Sequence, residues 1–260
     1  MSSDKQSNPD PVNLSPQDYD AFIFDLDGVI TKTAKVHAAV WKKMFDEYLK
    51  GRSSSQEDFL PFDINNDYRR YVDGKPRYEG VKSFLSSRGI KLPFGTSEDP
   101  PEKETVCGLG NRKNRLFNEH LKENGVETYE NAVNLIYRLK GLNFKTAIVS
   151  SSKNCSAVLE AAGLKDIFDV QIDGIVSEEM NLKGKPHPDI FLEAAKRLGV
   201  KNKRSIVVED AIAGVEAGRK GGFGYVIGVD RTGQGSDLKE KGADIVVSDL
   251  SRIFITKKRI

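Results

Sequence analysis

Phe22-Ile23-Phe24 runs directly into Asp25-Leu26-Asp27-Gly28-Val29-Ile30, so an apolar stretch stops on two carboxylates two residues apart and then a glycine. The apolar part reads as a buried strand, about Ala21 to Phe24, and paired acids at its end need something positive to face. Hard Mg²⁺, which takes one or two carboxylates together with substrate phosphate, meets that need; an Asx-rich turn after a strand is the plainer alternative. The same texture recurs from about Glu130 onward. A helix near Ala132–Lys140 leads to the strand Thr146–Val149, and one near Ala157–Ala162 to Val170–Ile172. A helix near Ile190–Leu198 leads to Ile206–Val208, one near Val215–Lys220 to Tyr225–Val229, and Ile245–Val247 closes the series. Short apolar strands alternating with helices imply an α/β fold, a Rossmann-like parallel sheet with helices on both faces. In such sheets ligands bind beyond the carboxyl ends of the strands.

Between the first strand and Glu130 the pattern differs. Thr33 to Leu49 predicts an amphipathic helix with Val36, Val40, Met44 and Tyr48 four residues apart and Gly51 as its stop. Arg52 to Asn124 is polar, with helical patches near Val81–Arg88 and Arg112–Asn124 and a loop from Lys91 to Pro101. The expected organisation is a disordered tail at residues 1–18, an α/β core formed by 19–34 and 127–260, and a helical domain at 35–126 inserted after strand one. Forty basic and 38 acidic residues leave a formal charge of +2, so no global field attracts nucleic acid. Cys107 and Cys155 make no disulfide framework. No run approaches the roughly 18 apolar residues of a membrane span, and Met1 to Pro16 lacks an apolar signal core. The expectation is a cytoplasmic monomer with no membrane or nucleic-acid partner.

The other predicted strands also end in chemistry. Ser150-Ser151-Ser152-Lys153-Asn154 follows Val149 at a helix start, either a phosphate cradle of hydroxyls and free amides or a simple Ser/Asn cap. Lys185, ahead of Pro186-His187-Pro188, is a fixed cation able to neutralise a phosphoryl group, or else a solvated lysine. Ile206-Val207-Val208 ends in Glu209-Asp210, the acidic partner that a metal held by Asp25 and Asp27 requires.

In this order, Asp-x-Asp-Gly-Val, Ser, Lys and Glu-Asp, the chain from Ala21 to Leu250 resembles the haloacid dehalogenase superfamily of phosphoryl-transfer enzymes. The resemblance implies that Asp25 is the nucleophile forming an aspartyl-phosphate and Asp27 the general acid/base. Ser150 and Lys185 would hold the transferring phosphoryl group, and Asp25, Asp27, Glu209 and Asp210 would bind Mg²⁺. Carboxylate attack divides one difficult displacement into two easier ones, and the transfer itself needs positioning and charge neutralisation.

Within the superfamily the chain is similar to the β-phosphoglucomutase branch, through Asp25 to Thr31, Thr33-Ala34, His37, Trp41, Arg77, Arg112-Lys113-Asn114, Ser150 to Asn154, Lys185-Pro186 and Glu209-Asp210. That likeness implies Mg²⁺-dependent interconversion of β-D-glucose 1-phosphate and glucose 6-phosphate through β-glucose 1,6-bisphosphate. A superfamily phosphatase acting on a sugar phosphate is the alternative. A mutase must hold a bisphosphate in two orientations, so it needs two anion sites. Arg77 and Lys113 would take the second phosphate, with Asn114, Ser151, Ser152, Lys153 and Asn154 near it. His37 would link Asp27 to closure of the inserted domain, and Trp41, placed with it among the substrate-binding residues, reads as cap or hinge packing. Extra polar sequence, about Ser86 to Thr105, lengthens the insertion. Gly108-Leu109-Gly110-Asn111 reads as a turn presenting Arg112 and Lys113, and Gly214 and Gly218 as places of close helix packing.

Overall fold

The structure, a computed structural model, describes residues 12–52 and 60–256. In chain order its elements are β1 (Val12–Leu14), β2 (Ala21–Asp25), α1 (Thr33–Lys50), a wide π-helix (Ile64–Val72), α2 (Arg77–Ser87), α3 (Val106–Asn124), α4 (Glu130–Gly141), β3 (Lys145–Val149) and α5 (Cys155–Ala161). There follow β4 (Val170–Ile172), α6 (Gly174–Glu179), α7 (Asp189–Leu198), β5 (Ser205–Glu209), α8 (Ile212–Lys220), β6 (Tyr225–Val229), α9 (Gly235–Glu240), β7 (Ile245–Val247) and β8 (Ile253–Ile255).

Six strands form one parallel sheet in the order β4-β3-β2-β5-β6-β7. Because successive side chains alternate across a strand, the central strand feeds both faces. Phe22 and Phe24 pack with Ile148, Ile206, Val208 and α4 on one face, whereas Ala21 and Ile23 pack with Val149, Val207, α7 and α8 on the other. Burial on both faces explains why these strands are continuously apolar in sequence. The chain builds β2, β3 and β4 in one direction and then returns to lay β5 against the other side of β2. The crevice where the order reverses therefore opens at the carboxyl ends of β2 and β5.

Helices α1, α2, α3 and the π-helix surround a separate apolar cluster of Trp41, Met44, Phe45, Phe62, Phe84 and Leu109. Phe45 meets Phe84 at 4.2 Å and Phe62 at 5.1 Å between ring centroids. This helical group occupies the stretch between β2 and α4.

Three expectations change. The tail expected at residues 1–18 falls partly outside the described residues, but Val12–Leu14 is a strand paired in parallel with β8. Val12 and Leu14 are buried in the core with Ile253, which offsets the entropy of ordering them. Gly108 and Gly110 lie inside α3, not in a turn. A Cβ on Gly108 would meet the Lys103 carbonyl oxygen at 2.2 Å and one on Gly110 the Tyr78 ring at 2.7 Å, so the glycines admit close neighbours. The π-helix, α6 and α9 have no sequence counterpart among the expected elements.

Candidate active site

Asp25 ends β2 and Glu209 ends β5, and the register pairs Phe24 with Val208, so both acids leave the sheet at one level. Asp210 follows. One carboxylate oxygen from each of Asp25, Glu209 and Asp210 lies within 4.8 Å of the others. Gly28, at φ +85°, makes room for this group, since a Cβ there would fall 1.8 Å from Asp210 Oδ2. Lys185 Nζ donates to Asp25 Oδ1 at 2.5 Å and also to Glu209, with its side chain 1% exposed. Glu209 also accepts from the Ala211 amide at 2.8 Å.

Burial raises the Asp25 carboxyl well above the usual carboxylate range; Lys185 opposes this, while Glu209 and Asp27 add to it. Burial and then Glu209 and Asp73 do the same to Asp210. For Lys185 burial works against the charge, but Asp25 and Glu209 outweigh it and raise its pKa. Three carboxylates under mutual repulsion, all hard oxygen donors, fit Mg²⁺.

The Asp27 carboxylate, expected among the Mg²⁺ ligands, is not in this group of converging oxygens. It accepts from Thr33 Oγ1 and from Ser150 Oγ at 3.3 Å, and lies 3.2 Å from His37 Nε2 without hydrogen-bond alignment. Burial pushes its pKa up, but His37 and the Thr33 hydroxyl outweigh that and hold it at about 2. His37 stacks on Phe117 at 4.1 Å, and its Nδ1 lies 2.6 Å from Lys113 Nζ. Burial, then the positive Lys113, lowers the His37 pKa. An imidazole that accepts at Nδ1 from the ammonium carries its proton on Nε2, toward Asp27.

Both Lys113 and Trp41 are buried, and the ammonium sits 5.3 Å from the indole. Lys113 thus faces His37 and Trp41 inside the helical group. Arg77 donates to Asn114 Oδ1 at 2.9 Å, and Asn154 donates to the same oxygen at 2.8 Å, so a residue after β3 meets α3 and α2. Ser152 and Lys153 line the cavity with Arg77, Lys113 and Asn154, although Lys153 is paired with Glu178 at 2.6 Å. Ser150 is fully buried, with its Oγ between Asp27 and the Ser152 amide, and Ser151 lies at the cavity wall.

This cavity, about 450 Å³, runs between the acids of the sheet and Arg77, Tyr78 and Phe94 of the helical group. Two Gly-Lys-Pro segments meet across it. A Cβ on Gly184 would lie 2.5 Å from Pro76, and one on Gly74 would touch Ala211 and Ala213; Ser151 Oγ donates to the Gly74 carbonyl at 2.8 Å.

The sequence reading passed over Asp73 and Tyr68, which also line the cavity. Burial, then the negative Glu209, pushes the Asp73 pKa up to about 7. The signal was present as Asp73-Gly74-Lys75-Pro76-Arg77, a near copy of Gly184-Lys185-Pro186. Gly214 is where a Cβ would collide with Glu209 Oε1 at 1.8 Å, and Gly218 lies against Val207 and Val226, in line with their reading as packing glycines.

The chain also has known relatives. A family model described as haloacid dehalogenase-like hydrolase covers residues 19–222, and the chain belongs to that family and is a phosphoryl-transfer enzyme. It is 45% identical over 243 residues to a β-phosphoglucomutase of Mycobacterium bovis, covering 92% of this chain and 93% of that one. A β-phosphoglucomutase of Bacillus subtilis is 33% identical over 90% of this chain and 92% of its own. Among solved structures, a β-phosphoglucomutase from Clostridium difficile superposes with a TM-score of 0.71 at 28% identity, covering 90% of this chain and 92% of the other.

Proposed function

We propose that the chain is a Mg²⁺-dependent β-phosphoglucomutase that interconverts β-D-glucose 1-phosphate and glucose 6-phosphate. The observation that carries this reading is one cavity with anion-binding groups on two sides. Lys185 stands at the sheet beside Asp25, and Arg77 with Asn114 and Asn154 stands across it. The helices between β2 and α4 then act as a cap, residues 35–126 over the core of 19–34 and 127–260.

Asp25 attacks the phosphorus of the C1 phosphate of β-glucose 1,6-bisphosphate. The bond from phosphorus to O1 breaks, Asp27 passes to O1 the proton it took from a sugar 6-hydroxyl in the preceding half-reaction, and glucose 6-phosphate leaves a phosphorylated Asp25 behind. For the other half-reaction Asp27, held ionised by Thr33 and His37, takes the proton of the sugar 6-hydroxyl. O6 attacks the phosphoryl group, and the bond to Asp25 breaks. Lys185 and the amides after β3 hold the phosphoryl oxygens, while Ser150 acts by orienting Asp27 and the Ser152 amide. Mg²⁺, bound by Asp25, Glu209 and Asp210, would neutralise phosphoryl charge. Arg77 grips the non-transferring phosphate, and reorientation of the bisphosphate exchanges the two phosphates between sites. Lys113, joined to His37, ties cap position to Asp27.

No helix among the described residues is long and apolar enough to cross a membrane, and both cysteines are buried thiols; our reading is a cytoplasmic monomer acting on a small sugar phosphate. Phosphorus NMR of β-glucose 1-phosphate with Mg²⁺, primed with bisphosphate, should show glucose 6-phosphate accumulating. Release of inorganic phosphate and free glucose alone would identify a phosphatase instead.

A further inference from the structure

The loop after β6, residues 230–235, contains no group that the proposed reaction uses, yet it bonds the main chain of Gly28 and Asp210 at the edge of the acidic crevice. Asp230 Oδ1 accepts from the amides of Thr232, Gly233 and Gln234, and its Oδ2 from Gly235, so one carboxylate shapes the loop. From that frame Arg231 Nε donates to the Gly28 carbonyl at 2.9 Å and Nη1 to the Ser248 carbonyl at 3.0 Å. The same guanidinium lies 3.6 Å from the centre of the Tyr129 ring. Gln234 Nε2 donates to the Asp210 carbonyl at 2.8 Å. From the helical group, Arg69 donates to the Thr232 carbonyl at 2.9 Å.

Gly28 is the residue whose missing side chain admits Asp210, and Tyr129 lies on the strand of chain that returns from the helices, its amide bonded to the Ile30 carbonyl at 2.9 Å. Arg231 therefore fixes three segments to one another: the turn after β2, the returning connection, and the loop after β7. Gln234 adds the fourth, the turn after β5. A planar guanidinium suits this task because its donors leave in fixed directions while its face remains free to stack.

We propose that Arg231 is a positioning residue for the metal site, setting Gly28 against Asp210 so that the carboxylates are spaced for Mg²⁺ before it arrives. The proposal rests on reading Asp25, Glu209 and Asp210 as the Mg²⁺ ligands. Outer groups that orient ligands change metal affinity by about 10- to 100-fold when removed. Calorimetric titration of Mg²⁺ into the full chain reads this directly, without turnover. Arg231→Ala should weaken binding by about tenfold or more on that scale, and Arg231→Lys, with a donor but no fork, should fall between it and the unaltered protein. Arg204→Ala is the control: it breaks a pair with Asp20, at 2.7 Å, near the opposite end of the sheet and should leave Mg²⁺ binding unchanged. Equal Mg²⁺ affinity in folded Arg231→Ala and the unaltered chain overturns the proposal, as does equal weakening in Arg204→Ala. Should Arg231→Ala not fold, unchanged affinity in Arg231→Lys overturns it. Absence of any Mg²⁺ binding by the unaltered chain would instead remove the reading of the acids as ligands, and this proposal with it.

Discussion

Lys113 Nζ lies 2.6 Å from His37 Nδ1, inside a pocket closed by Trp41 and Phe117. Burial, then the positive Arg77, pushes the Lys113 pKa down to about 7. In the unfolded chain this lysine keeps its proton up to about pH 10.4. Between those values the unfolded state binds more protons than the native one, so stability rises with pH across the window. Lys113→Met should remove that rise, seen as a flatter dependence of urea midpoints from pH 7 to 10. Because Trp41 is the sole tryptophan of the chain, its fluorescence should titrate near pH 7 and cease to do so in the variant. An identical titration in Lys113→Met would separate the two residues.

Asp25→Asn keeps shape but removes the proposed nucleophile, and turnover should fall by at least about 10³-fold. Labelled bisphosphate should no longer leave phosphate on the protein, as intact mass spectrometry will read. Residual phosphorylation at another residue would move the nucleophile elsewhere.

On the proposed reading Mg²⁺ would bind only the native arrangement of Asp25, Glu209 and Asp210, since their oxygens converge from two strand ends. Saturating Mg²⁺ at about 100 times its dissociation constant should therefore add roughly 2.7 kcal/mol of stability. Chelation should stop turnover and lower the melting temperature together. A melting temperature indifferent to Mg²⁺ would contradict this site.

Arg77 shares Asn114 with Asn154. Its replacement by Ala should raise the KM for bisphosphate by about tenfold or more, in keeping with the loss of charge-assisted contacts of about 1.5–3 kcal/mol. Labelling of Asp25 by a small phosphoryl donor such as acetyl phosphate should survive. If mutase turnover were unchanged, Arg77 would be an ordinary cap-helix charge.

The sheet was legible because buried parallel strands are written as continuous apolar runs; Asp25 and Glu209 stood out as charges where those runs end, and Lys185 as a cation ahead of Pro186-His187-Pro188. Orientation was not legible. Nothing in Asp25-Leu26-Asp27 tells that the second carboxylate turns to Thr33 and His37 while the first joins Glu209. Lys113, expected to take the second phosphate, is buried against His37 because α1 and α3 bring His37, Trp41 and Phe117 around it. β1 needs a partner at Ile253–Ile255, at the far end of the described chain, which no local pattern announces. Arg231 acts on main-chain carbonyls, which every residue has, so its role exists only in the assembled fold.

Where Gly184 meets Pro76, the depth to which the helices settle on the sheet is set by an atom that is not there. A methyl group at that point would stand 2.5 Å from Pro76 and prop the seal ajar. Gly184→Ala leaves the acids, Lys185 and Arg77 in the chain, yet should let solvent reach the phosphorylated Asp25 and shift its fate from sugar to water, measurable as a higher ratio of inorganic phosphate to glucose 6-phosphate. Isomerase and hydrolase would then differ here by watertightness, not by catalytic equipment.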